Sequence, residues 1–200
     1  MADQTAARVT LRYPDRIPVD DEVELRLVAE GDEVEIFRFT DANRAYLRQW
    51  LPWVDATLSA VDTRGFVERS LEQVRVLDGF QTRILYRGEF AGMIGYLYHD
   101  WKNLRTEMGY WLREDLQGRG VMTRAAKALT DFALANLGLN RVEIRAATDN
   151  RRSRAVPERL GFVQEGVLRE AAWLNDRFID LVVYARLRDD PAPPTGPRSL

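Results

Sequence analysis

The stretch of the 200-residue chain with most chemistry in it is Gln117-Gly118-Arg119-Gly120-Val121-Met122-Thr123. It stands directly ahead of a run in which Val121, Ala125, Leu129, Phe132 and Ala133 recur at three- and four-residue spacing, the apolar stripe of a helix. A helix start leaves several backbone N–H groups without an internal acceptor and carries the positive end of the macrodipole. Gly118 and Gly120 lack a Cβ, so an anion can approach that backbone, and Arg119 adds a cation. The chemistry on offer is anion binding, and a pyrophosphate suits it best. No Gly-Lys-Ser/Thr follows, which excludes a P-loop, and the third glycine of a dinucleotide fingerprint is missing.

Proton transfer needs other groups. Glu107 opens the run Glu107-Met108-Gly109-Tyr110-Trp111-Leu112, which leads into the loop. It is the candidate base, acting directly or through water. Its competing role is an ion pair with Arg105 or Arg145. His99 is the only histidine; its intrinsic pKa suits a base, but its place before Asp100-Trp101 reads as a surface turn. Trp50-Leu51-Pro52-Trp53 makes a rigid aromatic corner. Trp50 and Trp53 either close the core or wall an acceptor pocket. Arg151, Arg152 and Arg154 crowd another helix start, as phosphate contacts or as a solvated face.

The elements that must position these residues follow from periodicity. Glu22–Val28 alternates and is the first strand. Asp32 caps a helix carrying Ile36 and Phe37, and Asp41 caps its continuation through Leu47. Asp62 begins a helix that buries Phe66, Val67 and Leu71, and Asp78-Gly79 ends it. Phe80–Tyr86 and Phe90–Tyr98 form a hairpin through Arg87-Gly88-Glu89. Gly92 and Gly95 inside it indicate close packing or a bulge. Arg105–Leu112 is the fourth strand, Val121–Leu137 a helix closed by Gly138, and Asn140–Thr148 the fifth strand. A strand, a helix and another strand make a right-handed crossover, so these two strands run parallel. Asn150 caps a short helix closed by Gly161, and a hairpin turning at Asn175-Asp176 ends in the alternating strand Phe178–Leu187. The sum is a single α/β domain over residues 22–188. Residues 1–21 form an arm with a short strand at Val9–Arg12, and residues 189–200 a proline-rich, disordered tail.

Bulk composition narrows the function. There are 29 Lys and Arg against 31 Asp and Glu, a net charge of −2, which gives no pull toward nucleic acid. The absence of cysteine excludes a disulfide framework and a thiol nucleophile, and fits a reducing cytoplasm. One histidine cannot build a histidine metal cluster, and no apolar run reaches the roughly 18 residues of a membrane span.

The spacing Gln117-x-x-Gly120-x-Met122 resembles the Gln/Arg-x-x-Gly-x-Gly/Ala loop of the GCN5-related N-acetyltransferase (GNAT) superfamily. Asn43-Arg44, Trp50-Leu51-Pro52-Trp53, Glu107-x-Gly109-Tyr110-Trp111-Leu112, Asn140-Arg141-Val142, Asn150-x-x-Ser153 and Leu160-Gly161-Phe162 occur with it and in order. Together they resemble the RimJ/RimL branch, the ribosomal-protein N-acetyltransferase-like enzymes.

The resemblance implies a mixed, mostly antiparallel sheet of about seven strands, splayed between strands four and five at a bulge, with helices on both faces. It implies acetyl-coenzyme A as cosubstrate and no metal. Tyr110, Trp111 and Leu112 would pair with the pantetheine arm, Gln117, Gly118, Arg119, Gly120, Val121, Met122 and Thr123 would hold the pyrophosphate, and Asn150 would bond the arm from the far side. Ser153 would protonate the leaving thiolate. The acceptor would be a primary amine, either a protein N-terminus or a small molecule, reached by direct transfer in a ternary complex, and the enzyme a possible homodimer with Phe178–Leu187 as an exposed edge. The branch also implies a glutamate where this chain has Ala172, with Glu170 two residues earlier. That departure keeps open a non-catalytic acyl-coenzyme A binding module, and the loop alone leaves open a different nucleotide ligand.

Overall fold

A computed structural model of the protein describes residues 12–191. The strands are β1 (Arg16–Pro18), β2 (Val23–Leu27), β3 (Phe80–Tyr86), β4 (Glu89–Asp100), β5 (Arg105–Leu112), β6 (Arg141–Ala147), β7 (Val163–Leu174) and β8 (Arg177–Leu187). The helices are α1 (Glu33–Ala42), α2 (Arg44–Leu47), α3 (Ala60–Val76), α4 (Val121–Asp131) and α5 (Arg151–Arg159). One open sheet takes the order β1-β2-β3-β4-β5-β6-β8-β7. Among the described strands only the β5–β6 pair is parallel, as the crossover through α4 requires.

Strand alternation sends side chains to opposite faces, and each face has its own helices. Leu25, Ile84, Ile94, Tyr96, Met108, Val142 and Ile144 pack with Ala125, Leu129 and Ala133 of the α4 side and Val156 of α5. Leu85, Phe90 and Met93 pack on the other face with Ile36 of α1 and Val67 of α3. Each fully buried Leu or Ile here contributes about 1.5–3 kcal/mol.

Several sequence expectations are corrected. Among the described residues the sheet has eight strands, where about seven were expected. The extra one, Arg16–Pro18, lies in the stretch read as an arm and pairs with β2. As the outermost strand it leaves Pro18 no ladder bond to break on its free side. The anticipated strand at Val9–Arg12 falls outside the described residues, apart from Arg12, which is in no strand; most of the tail from Asp189 falls outside them too. Asp32 makes no side-chain cap to its helix; it accepts from the Ala29 N–H at 2.8 Å and pairs with Arg83. Asp41 lies inside α1, and Asn43 occupies the junction with α2. The cap of α3 is Ser59, with Asp62 its reciprocal partner three residues on. Strand β8 is interior, between β6 and β7, so the free edge is β7.

Two features open the sheet. The β5–β6 ladder runs from Arg105↔Arg141 to Met108↔Ile144 and stops. At the same level Leu97 is an extra residue on β4, between the pairs Tyr96↔Met108 and Tyr98↔Glu107. A bulge bends its strand and sharpens the twist, and the Leu97 side chain lies over Gly109, where a Cβ would come within 3.0 Å of Leu97 Cδ2. From Gly109 onward β5 leans toward β4 and away from β6.

Gly92 and Gly95 hold that leaning half tight. A Cβ on Gly92 would meet the Trp111 carbonyl oxygen at 2.2 Å, and one on Gly95 the Phe80 oxygen at 2.3 Å. Neither backbone can move without breaking the ladder. Gly92→Ala will therefore destabilise the protein by about 2 kcal/mol through overpacking. A thermal melt should show Tm lowered by roughly 4–8 °C for a domain of this size; an unchanged Tm would mean that the strands separate at no cost.

Candidate active site

The opening between β5 and β6 is the mouth of a cavity of about 1010 Å³. Its walls include Tyr110, Trp111 and Leu112 of β5, Arg145, Ala146 and Ala147 of β6, the start of α4, and the Asn150–Arg159 face of α5. Trp50 and Trp173 also line it, from the corner after α2 and from β7.

At one end lies the glycine loop. Gly118 and Gly120 adopt left-handed φ values of 74° and 72°, and an added Cβ on either would meet nothing within 4 Å. The backbone is thus bare toward the opening. Val121 and Met122 are buried and pack into the core while bordering the cavity. Met122, which replaces a small residue of the motif, is 7% exposed and stands in the cavity wall. Gly120 supplies no side-chain cap, and the first amides of a helix have no partner of their own. Gln117 Nε2 is buried and makes no hydrogen bond of ordinary geometry among the described residues, while Gln117 Oε1 accepts from Arg152. Arg124 and Arg151 line the same cavity, and so does Arg159. Every charged side chain in the described lining is an arginine.

In the cavity wall Tyr110 meets Ser153. The Tyr110 hydroxyl donates to the Ser153 carbonyl at 3.0 Å, and Ser153 Oγ lies 3.4 Å from it as a donor. Burial holds the Tyr110 pKa above its ordinary value, so the phenol keeps its proton. Asn150 caps α5 through the Ser153 N–H at 3.1 Å. That uses its oxygen and leaves its amide nitrogen for another partner.

Other anticipated residues stand elsewhere. Arg119 is exposed and lies outside the cavity lining. Trp53 also lies outside it, 40% exposed, with its ring centroid 6.4 Å from that of Trp111. Arg154 turns away, to Tyr184 Oη and the Thr148 carbonyl, both at 2.9 Å. Glu107 sits behind the wall and pairs with Arg145 at 3.4 Å. Burial raises its pKa, against the pull of Arg145. His99 is a buried residue, not a surface turn: Nδ1 is 3.1 Å from Thr106 Oγ1 and desolvation lowers its pKa to about 4. It is no base for this cavity. Ala172 lines the cavity, whereas Glu170 lies in a β7 irregularity with its N–H on Asp180 Oδ1 at 2.8 Å.

Tyr46, Arg145, Arg159 and Trp173 line the site without having been expected there. Nothing in local spacing marks them, because they arrive from separate elements.

The family model for an acetyltransferase (GNAT) domain matches residues 22–163. The chain belongs to the GNAT family. Among curated GNAT relatives, the putative ribosomal N-acetyltransferase YdaF of Bacillus subtilis is 34% identical over 171 residues, 85% of this chain and 93% of that protein. The ribosomal-protein-serine acetyltransferase of Escherichia coli is 32% identical, covering 86% and 97%. Among solved structures, RimL, a ribosomal L7/L12 alpha-N-protein acetyltransferase in complex with coenzyme A, superposes with a TM-score of 0.84 at 30% identity, covering 87% of this chain and 98% of that one. The microcin C7 self-immunity acetyltransferase MccE, in complex with acetyl-CoA and AMP, superposes at 0.82 with 28% identity, over 88% of this chain and 97% of that one. Among the described residues of this GNAT domain, no group of three or more His, Cys, Asp or Glu is placed to hold a metal ion, and no helix is long and apolar enough to cross a membrane.

Proposed function

We propose that the protein is an acetyl-coenzyme A dependent N-acetyltransferase whose acceptor is the α-amine of a protein N-terminus. The observation that carries the reading is the glycine cradle at the α4 start, opening onto a gap in the sheet. Gly118–Thr123 would hold the pyrophosphate, with Gln117 and Arg152 beside it. The unpaired edge of Tyr110–Leu112 would take the pantetheine arm, with the Asn150 amide opposite. When bound, the cosubstrate supplies an activated acetyl group as a thioester. Ser153 would give a proton to the departing sulfur, with its hydroxyl positioned by Tyr110 behind it.

The acceptor reading rests on charge. The described lining has no carboxylate to hold the second ammonium of a polyamine. An α-amine has a pKa of about 7.7–8.0 against about 10.4 for a lysine-like amine, so at neutral pH its free-base fraction is roughly two- to fourhundredfold larger. RimL and the E. coli relative act on protein N-termini or ribosomal protein by their names. Trp50 and Trp173, which both line the cavity, would flank an entering peptide, with Trp53 outside the lining beside Trp111.

Titration of coenzyme A and acetyl-coenzyme A should give one site per chain, and mass spectrometry should find acetylated peptide N-termini at a kcat/KM at least tenfold above that for spermidine. Binding of both coenzymes without transfer to any amine would favour the second reading, a regulatory acyl-coenzyme A binding module, which the small Ala172 in the cavity wall motivates. Cytoplasmic residence fits a chain without cysteine. A homodimer, if formed, would use the exposed β7 edge with Val163, Val167 and Leu168, and light scattering would read it as a doubled mass.

A further inference from the structure

An acceptor that arrives as an ammonium needs a base, and neither a carboxylate nor a histidine is among the described residues lining the cavity. The acid one step back is Glu107, and Arg145 connects it to the cavity. Arg145 lines the opening, with Nε 3.4 Å from Glu107 Oε2 and Nη2 3.3 Å from Glu143 Oε2. The two carboxylates are paired across β5 and β6, on one face, but they are unequally served. Glu143 also receives Arg141 at 2.9 Å and Arg105 at 3.6 Å. Glu107 has Arg145 as its one ion-pair partner among the described residues, and shares it.

We infer that Arg145 is a placeholder for the acceptor's ammonium: the entering cation takes its place at Glu107, and Arg145 withdraws onto Glu143, which it already touches. This rests on the acetyltransferase reading with Glu107 as base. The shift needs only a change of side-chain torsion, since both partners are within reach from one position. Glu107 then takes one proton from the ammonium, directly or through a water. The freed nitrogen lone pair forms the C–N bond to the thioester carbon as the C–S bond breaks. The second nitrogen proton ends on the sulfur, so the balance is one amide, one thiol and one proton left on Glu107 for solvent.

The charged and titratable groups around Glu107 agree with the exchange. Tyr98 faces it from β4, Glu143 and Arg145 from β6, and Arg105 lies on its own strand. Burial raises Glu107, with Arg145 opposing. Burial acts on Glu143 in the same sense, yet Arg141 and Arg145 hold its pKa below the ordinary value. Glu143 is thus the permanent anion and Glu107 the one able to accept a proton.

The test uses Arg145→Gln and Arg145→Lys with Glu107→Gln as reference. With Arg145→Gln, the acid limb of the kcat/KM profile should move up by at least half a pH unit, because the cation that opposed desolvation is gone. Carboxyl NMR of the protein without substrate should show Glu107 titrating higher by the same amount. Above the limb, KM for an N-terminal peptide should fall at least threefold, as no guanidinium has to be displaced. Arg145→Lys should keep the limb within about 0.2 unit of the parent. An unmoved limb and an unmoved Glu107 titration in Arg145→Gln, or a raised KM, would overturn the inference while Glu107→Gln, reduced at least tenfold, still upheld the base. A fully active Glu107→Gln would instead remove the base reading itself.

Discussion

Gly120→Val will weaken coenzyme A binding by about a hundredfold while the protein remains folded. Gly120 sits at φ 72° as the residue ahead of α4, and its missing Cβ faces open space. A β-branched side chain there carries strain of about 1–3 kcal/mol in the left-handed region. It also stands between the bare amides and any phosphate. Losing one or two charge-assisted hydrogen bonds costs about 1.5–3 kcal/mol each, and 2.7 kcal/mol is about a hundredfold in Kd. Val121 and Met122 keep their core places, so the strain should lower Tm by only a few degrees. Calorimetric titration beside a thermal melt separates the two effects. Binding within threefold of the parent would show that the loop is a plain connection and that the coenzyme lies elsewhere.

Ser153→Ala will lower kcat by about a hundredfold, with KM for both substrates within about twofold. A positioned general acid contributes about 10²–10⁴ in rate, and an interaction made only as the thiolate forms affects kcat rather than KM. The fold has little stake in the hydroxyl. Its one hydrogen bond among the described residues is the long contact to Tyr110, while the Ser153 amide is held by Asn150 and its carbonyl by Tyr110. Steady-state kinetics with a peptide acceptor reads the result. A kcat within threefold of the parent would transfer the acid role to Tyr110 or to water. Loss of coenzyme A binding instead would make Ser153 a binding residue.

The chain itself carried a good part of this. The order of strands and helices was legible because each element has its own periodicity: alternation at Arg105–Leu112, a three-and-four stripe from Val121. The candidate anion loop was legible because its parts are adjacent in sequence, two glycines and a helix start. The crossover rule then made β5 and β6 parallel, and a glycine at 138 and at 161 stopped each following helix.

What the sequence left undetermined depends on residues far apart in the chain. Arg16–Pro18 becomes a strand only because β2 offers it an edge; two prolines in a polar arm do not announce that. His99 is buried beside Tyr96 and Trp101 because Tyr13, distant in the chain, also packs against it, and no local pattern records the arrival of Tyr13. The sheet opens because Leu97 bulges on β4 beside the end of the β5–β6 ladder, which is a matter of register between strands. Tyr110 and Ser153 are 43 residues apart and meet across that opening. Arg145 and Glu107 meet on two strands joined by a whole helix. Sequence determined which groups can bind phosphate and move protons, since that is a property of residue type and short spacing. Tertiary structure alone decided which of them share a cavity, because only pairing register and helix placement bring distant side chains to one point.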